Sequence, residues 1–275
     1  MKRQKKMALV NDVTGYGRCS IAVELPLISA LKIQGCVLPT AVLSVHTGFP
    51  NYYIDDYTER MPAYINSWKE NGLAFDGILT GFLGSARQSD LVLAFIRDFK
   101  GKDTKVIVDP VMGDYGRLYP SYTEEMCRKM RRLLTVADVI TPNLTEACRL
   151  LDIPYPNHGQ VLPGQLEQMA CALINKGPSQ LVMTGLHEGE YLLNYIYEKG
   201  KQPEIQRVKK IGSDRSGTGD VFAAIAAGRI VQGKTLSEAV RSAADFVSKA
   251  MVYTEELQLP HNCGLAFEEF LTDLR

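Results

Sequence analysis

In the last quarter of the chain, Ser216-Gly217-Thr218-Gly219-Asp220 runs directly into Val221-Phe222-Ala223-Ala224-Ile225-Ala226-Ala227, an apolar run that reads as a buried helix. Glycines that open a helix leave its first amides bare. With the positive end of the helix dipole, those amides form a site for an anion such as a phosphoryl group in transfer. Asp220 then has two readings. It is a first-turn carboxylate that complements the dipole, or a general base that takes a proton from an attacking alcohol, an effect worth about 10² to 10⁴ in rate. A second constellation is Asp109, Asn143 and Glu146, two carboxylates and an amide that close or follow apolar runs. Such a set suits a magnesium ion that keeps several waters and bridges phosphates. It equally suits capping, since Asn143 sits where a helix over 144–151 would start and Glu146 follows three residues on. His46 is either a ring packed under a loop or a binding residue. Tyr52, Tyr53 and Tyr57 suit loop packing or a subunit contact better than a platform for bases.

The elements that must position these residues are legible as alternation. Short apolar runs at 8–10, 37–45, 75–80, 105–109, 137–141 and 180–184 lack polar alternation, as strands covered on both faces do. Between them Tyr57, Met61 and Ile65, and again Leu91, Phe95 and Phe99, recur at helical spacing. This repeated βα pattern predicts an α/β fold: three α/β/α layers around a doubly wound, mostly parallel sheet. Segments 190–198 and 204–211 flank Lys199-Gly200-Lys201-Gln202-Pro203 and predict a hairpin near one edge. The last third reads as helical. No linker, repeat or low-complexity tract divides the chain, so 1–275 reads as one domain. In open α/β sheets ligands bind beyond the carboxyl ends of the strands. The residues closing the runs should therefore share one cleft: Asn11 to Gly17, Ser44 to Gly48, Thr80 to Ser85, Asp109 to Asp114, Thr141 to Glu146, and Thr184-Gly185.

Several classes are disfavoured by the sequence. With 31 Lys+Arg against 31 Asp+Glu, the formal net charge of +0 exerts no long-range pull on nucleic acid or anionic membranes, and only the basic start Met1–Lys6 forms a patch. The apolar stretch after it, Met7 to Val10, is too short for a secretory signal, and no run is long enough to span a membrane. The six cysteines include no Cys-x-x-Cys pair, which argues against a zinc site or a disulfide framework. A cytoplasmic location is expected. Gly15-Tyr16-Gly17-Arg18-Cys19-Ser20 has serine where a dinucleotide fingerprint has its third glycine, and no P-loop sequence occurs.

Taken together and in order, five segments resemble the ribokinase-like superfamily, and within it the vitamin B6 (pyridoxal/pyridoxamine) kinases. They are Ser44-Val45-His46-Thr47, Gly81-Phe82-Leu83-Gly84-Ser85, Asp109-Pro110-Val111-Met112-Gly113-Asp114, Thr141-Pro142-Asn143 with Glu146, and Gly217-Thr218-Gly219-Asp220. The resemblance spans nearly the whole chain. It implies transfer of the ATP γ-phosphoryl group to the 5′-hydroxymethyl oxygen of pyridoxal, pyridoxamine or pyridoxine. Asp220 would be the base and Gly217, Thr218 and Gly219 the anion hole. Asp109, Asn143, Glu146, Thr184 and Tyr119 would serve ATP, with Asp109 and Glu146 holding Mg²⁺ directly or through water and a monovalent cation such as K⁺ assisting. Asp12, His46, Thr47 and Phe82 would contact the ring. Segments 48–57 and 113–121 would form small lid elements, and the first would pair two subunits in a homodimer. Two positions depart from the pattern: many vitamin B6 kinases carry serine where Asp12 aligns and tyrosine where Phe82 aligns. An aspartate followed by Thr14-Gly15 is also similar to the hydroxymethylpyrimidine kinases of thiamine synthesis, the alternative assignment. A catalytically silent ligand sensor is the remaining alternative, and the intact Asp220 weighs against it.

Overall fold

The structure, a computed structural model, describes residues 3–275; Met1 and Lys2 of the basic start lie outside the described residues. The chain begins β1 (Lys6–Tyr16), α1 (Ile21–Ala30), β2 (Gln34–Val45), β3 (Ile54–Asp56), α2 (Met61–Glu70), β4 (Gly77–Thr80), α3 (Ala86–Phe99) and β5 (Lys105–Val108). A small hairpin of β6 (Gly113–Asp114) and β7 (Arg117–Leu118) precedes α4 (Glu124–Met130), β8 (Val139–Ile140), α5 (Leu144–Leu151) and α6 (Pro163–Ile174). The remainder comprises β9 (Gln180–Glu188), β10 (Tyr191–Glu198), β11 (Glu204–Lys209), α7 (Thr218–Val231) and α8 (Leu236–Glu256).

A nine-stranded sheet runs β11-β10-β9-β8-β5-β4-β1-β2-β3. Every pairing from β9 to β2 is parallel, while β3 on one edge and β10 and β11 on the other pair antiparallel. The unbroken apolar runs follow from burial on both faces. Along β1, Ala8 and Val10 enter one core, and Met7 and Leu9 enter the other. The first core also takes Val92, Phe95, Ile96 and Phe99 of α3 with side chains from α2 and α4 to α6. The second core takes α1, α7 and α8. Because α7 is buried on nearly all sides, its apolar residues form no stripe.

The expected α/β class, the mostly parallel sheet and the edge hairpin are all present, with the β6–β7 hairpin as the small flap. Several boundaries differ. Strand β1 continues through Asn11 to Tyr16, read from sequence as a loop, because its backbone pairs with β2 as far as Tyr16↔Val45. The run at 137–141 shrinks to Val139–Ile140. Segment 48–57, expected to be a lid, contributes β3 to the sheet edge, its acidic Asp55 and Asp56 hiding the strand from an apolar reading. Among the described residues no helix is long and apolar enough to cross a membrane.

Candidate active site

The carboxyl ends of the parallel strands open into a cavity of about 960 Å³, and every residue expected to act on ATP or its acceptor lines it: Asp12, His46, Thr47, Phe82, Asp109, Tyr119, Asn143, Glu146, Thr184, Gly217, Thr218, Gly219 and Asp220. Its volume falls in the upper range of small-molecule sites, enough for more than one small ligand. Val208, Ile211, Ala244, Val247 and Met251 form an apolar wall on one side.

Asp220 lies in the first turn of α7, after Gly217 in the left-handed region at φ 76°. A methyl group at 217 would overlap the Arg18 carbonyl oxygen, so only glycine lets this turn lie against the 18–20 backbone. That close approach supplies the Asp220 partner: the Ser20 N–H donates to its Oδ2 at 2.9 Å. Ser20 itself has φ 52° and ψ −136°, a conformation costly for a residue with a Cβ. Its hydroxyl donates to Asp12 Oδ1 at 2.6 Å, and Thr14 Oγ1 donates to Asp12 Oδ2 at 2.6 Å. Burial pushes the Asp220 carboxyl up to about 6, opposed by the Ser20 N–H and aided by the Asp12 charge. Burial also raises Asp12. Of the expected anion-hole amides, that of Thr218 makes a long 3.4 Å bond to the Arg215 carbonyl. Its hydroxyl donates to the same oxygen at 2.9 Å.

On the opposite side, the capping reading of Asn143 and Glu146 is met in full. The Asn143 side chain accepts from the Glu146 N–H and the Glu146 Oε2 accepts from the Asn143 N–H, a complete capping box on α5. Glu146 Oε1 accepts from the Met112 N–H at 3.2 Å, and Asn143 Nδ2 donates to the Gly113 carbonyl at 2.9 Å, fastening the β6–β7 flap to the start of α5. Asp109 accepts from Thr141 Oγ1 at 2.8 Å. Burial and the Asp220 charge push Asp109 up to about 8, and burial and Asp109 hold Glu146 well above its usual range. Among the described residues no three His, Cys, Asp or Glu converge tightly enough to enclose a metal ion. The donor set nevertheless fits magnesium held largely by water and phosphate: hard oxygen ligands, two buried carboxylates of which Asp109 raises Glu146, and Glu146 oxygens already committed to backbone N–H groups.

Where the ring of an acceptor was expected, His46 takes the Gly48 N–H on Nδ1 at 3.1 Å, so its Nε2 carries the proton given to the Asn262 carbonyl at 2.8 Å. With both ring nitrogens engaged, His46 offers the cavity its ring surface rather than a hydrogen bond. Phe82 stands edge-on to Tyr122, their centroids 6.4 Å apart. Sequence reading placed Asn11 among the residues closing the first run without giving it a role, and missed Ser20, Glu24, Arg215 and Asn262. The carbonyls of Leu259 and Pro260 receive Arg215, and that of Cys263 receives Arg18, so one C-terminal stretch anchors several loops of the cleft. These long-range partners leave no local signal.

The phosphomethylpyrimidine kinase family model matches residues 21–265. The chain belongs to that family. Its members are ribokinase-like kinases, and the fold described above is theirs. The chain is 31% identical over 196 residues to a pyridoxal kinase of Arabidopsis thaliana, covering 67% of this chain but only 61% of that relative, less than two thirds of its length. It is 25% identical to the hydroxymethylpyrimidine/phosphomethylpyrimidine kinase of Escherichia coli, covering 90% of this chain and 91% of the other. Among solved structures, a phosphomethylpyrimidine kinase candidate from Bacteroides thetaiotaomicron, crystallised with pyridoxal, superimposes with a TM-score of 0.95 at 38% identity, covering 99% of this chain and 96% of that one.

Proposed function

We propose that this chain transfers the γ-phosphoryl group of ATP to the 5′-hydroxymethyl oxygen of pyridoxal, pyridoxamine or pyridoxine. The observation that carries this reading is Asp220: a carboxylate with a raised pKa, at a helix N-terminus, inside the cavity formed by the strand ends. Phosphoryl transfer asks a protein chiefly for positioning and charge neutralisation. Asp220 takes the hydroxyl proton as the oxygen attacks, and the Ser20 N–H keeps the carboxylate oriented. The start of α7, with Gly217, Thr218 and Gly219, faces the negative charge of the group in transfer. Thr184, Tyr119 and Asn143 border the nucleotide, and the apolar wall from Val208 to Met251 suits its base. Asp12, Thr47, Phe82 and the His46 ring surround the acceptor. Magnesium, held by Asp109 and Glu146 directly or through water, would neutralise the polyphosphate. The chain acts as a homodimer paired through segment 48–57, whose Tyr52 and Tyr53 are exposed beside edge strand β3; light scattering should read twice the chain mass.

A second acceptor, hydroxymethylpyrimidine, is favoured by the matched family and by Asp12 followed by Thr14-Gly15, which is similar to the hydroxymethylpyrimidine kinases; a carboxylate beside a ring nitrogen would favour the protonated form of either ring. Measuring kcat/KM with Mg-ATP for pyridoxal, pyridoxamine, pyridoxine and hydroxymethylpyrimidine decides between them. A higher value for one of the three pyridine substrates supports the first assignment. Turnover of hydroxymethylpyrimidine alone replaces it, and turnover of none rejects both.

A further inference from the structure

Behind Asp220, on the side away from the cavity, a second carboxyl is enclosed in the fold. Glu24, on α1, is 2% exposed, and its Oε2 finds no hydrogen-bond partner. Between the two carboxyls sits Asn11, fully buried on β1. Its amide can face only one way. Oδ1 accepts two backbone N–H groups, from Asp12 at 2.9 Å and Phe82 at 2.8 Å. Nδ2 must therefore point the other way, where it reaches Glu24 Oε1 at 2.8 Å and Asp220 Oδ1 at 3.5 Å. Catalytic hydrogen bonds in ligand-free geometry are often long and tighten when substrates bind. Room for the amide exists because residue 81 is glycine; a methyl group there would overlap Asn11 Nδ2. The pairing of β1 with β2 also slips between Asn11↔Pro39 and Val13↔Val42, the kind of bulge that re-aims side chains beside active sites.

We propose that Asn11 is a positioning residue for the base, fixing Asp220 with one amide hydrogen while the other is anchored on the enclosed Glu24 carboxyl. This rests on the reading of Asp220 as base. The groups that face Glu24 are Asp220 on α7, Asp109 after β5 and Asp12 on β1, all acidic, and Asn11. An ionised Glu24 would be an unpaired charge with a bare oxygen, so the anchor is the neutral acid: burial, then Asp220, hold its pKa well above the usual range. A neutral anchor leaves the Asn11 amide shared without adding another charge beside the base.

Removing the Asn11 donor should lower kcat about 10- to 100-fold with the acceptor KM little changed, as expected when a reacting group is misplaced while substrate binding is preserved. The acid limb of kcat/KM should also move upward, because a donor to the ionised base is gone. Asn11→Ala is the direct variant, and Asn11→Ser, which keeps a small polar group, serves if alanine fails to fold. A folded variant with unchanged kcat and an unmoved limb overturns the proposal. The anchor is tested without turnover. Above pH 5 the unfolded chain releases the Glu24 proton and the folded chain keeps it, so Glu24→Gln should raise the melting temperature at pH 8 and by less at pH 5. An equal shift at both pH values, or a loss at pH 8, overturns the neutral anchor. If Asp220→Asn keeps its turnover, the base reading has failed, and the Glu24→Gln comparison still stands alone.

Discussion

Because burial holds the Asp220 carboxyl up to about 6, the base proposed for the reaction would be competent only above that pH, and the sign of the rate profile follows. The profile of kcat/KM should rise with an acid limb near pH 6, well above that of an exposed aspartate, whose pKa is about 3.9. A limb near 4 would place the proton-accepting group elsewhere. Asp220→Asn keeps the shape and loses the acceptor for the proton. It should bind the ring and nucleotide much as before while kcat falls by about a hundredfold or more, measured by calorimetry beside steady-state rates. Near wild-type turnover in this variant removes Asp220 from the role. Ser20 explains why the local sequence suffices for the base and not for what orients it: its strained backbone is set by the 217 turn on a segment about 200 residues away.

Helix α7 can deliver its first turn to the cleft only because Gly217 lets the chain cross the 18–20 backbone at contact distance. Gly217→Ala meets both a φ of 76° and the Arg18 carbonyl. It should cost more than about 1 kcal/mol in urea unfolding and lower kcat, since the turn that bears Asp220 must shift. Equal stability and rate would show that the turn relaxes freely. The same element shows what sequence reveals. Glycines before an apolar run, and Asn143 three residues before Glu146, are signals contained within one turn, so the starts of α7 and α5 are readable. The double burial of β1, β4, β5 and β9 is readable because both faces of each strand are apolar. By contrast Glu24 lies within a segment whose neighbours are core and announces nothing, and Asn11, though at the end of an apolar run, shows no role until its partners, distant in sequence, are known. Strand β3 escapes because it is short, acidic and paired on one side only.

Across the whole molecule, the cleft and the fold just behind it gather acids whose pKa values all move the same way. Burial raises Asp12, Glu24, Asp109, Glu146 and Asp220, with Asp220 at about 6 and Asp109 at about 8. Between the ordinary carboxylate pKa of about 4 and the raised values, the folded chain binds more protons than the unfolded one. The stability these groups contribute is therefore complete below the unfolded pKa and is lost as pH climbs through the folded values. Asp90, Asp152 and Glu238 are shifted downward and act only at more acid pH; His187, held low chiefly by burial, opposes the trend. These acids outnumber it, so the melting temperature of the ligand-free protein should fall from pH 5 to pH 8. On the proposed reading, Mg-ATP would bring a cation that favours the ionised carboxylates. It should raise the melting temperature more at pH 8 than at pH 5, and chelation of magnesium with EDTA should abolish most of that difference. A flat or rising profile without ligand would mean that the acids are already ionised and compensated in the fold. A gain from Mg-ATP that is equal at both pH values would show that the cation does not act on Asp109 and Glu146.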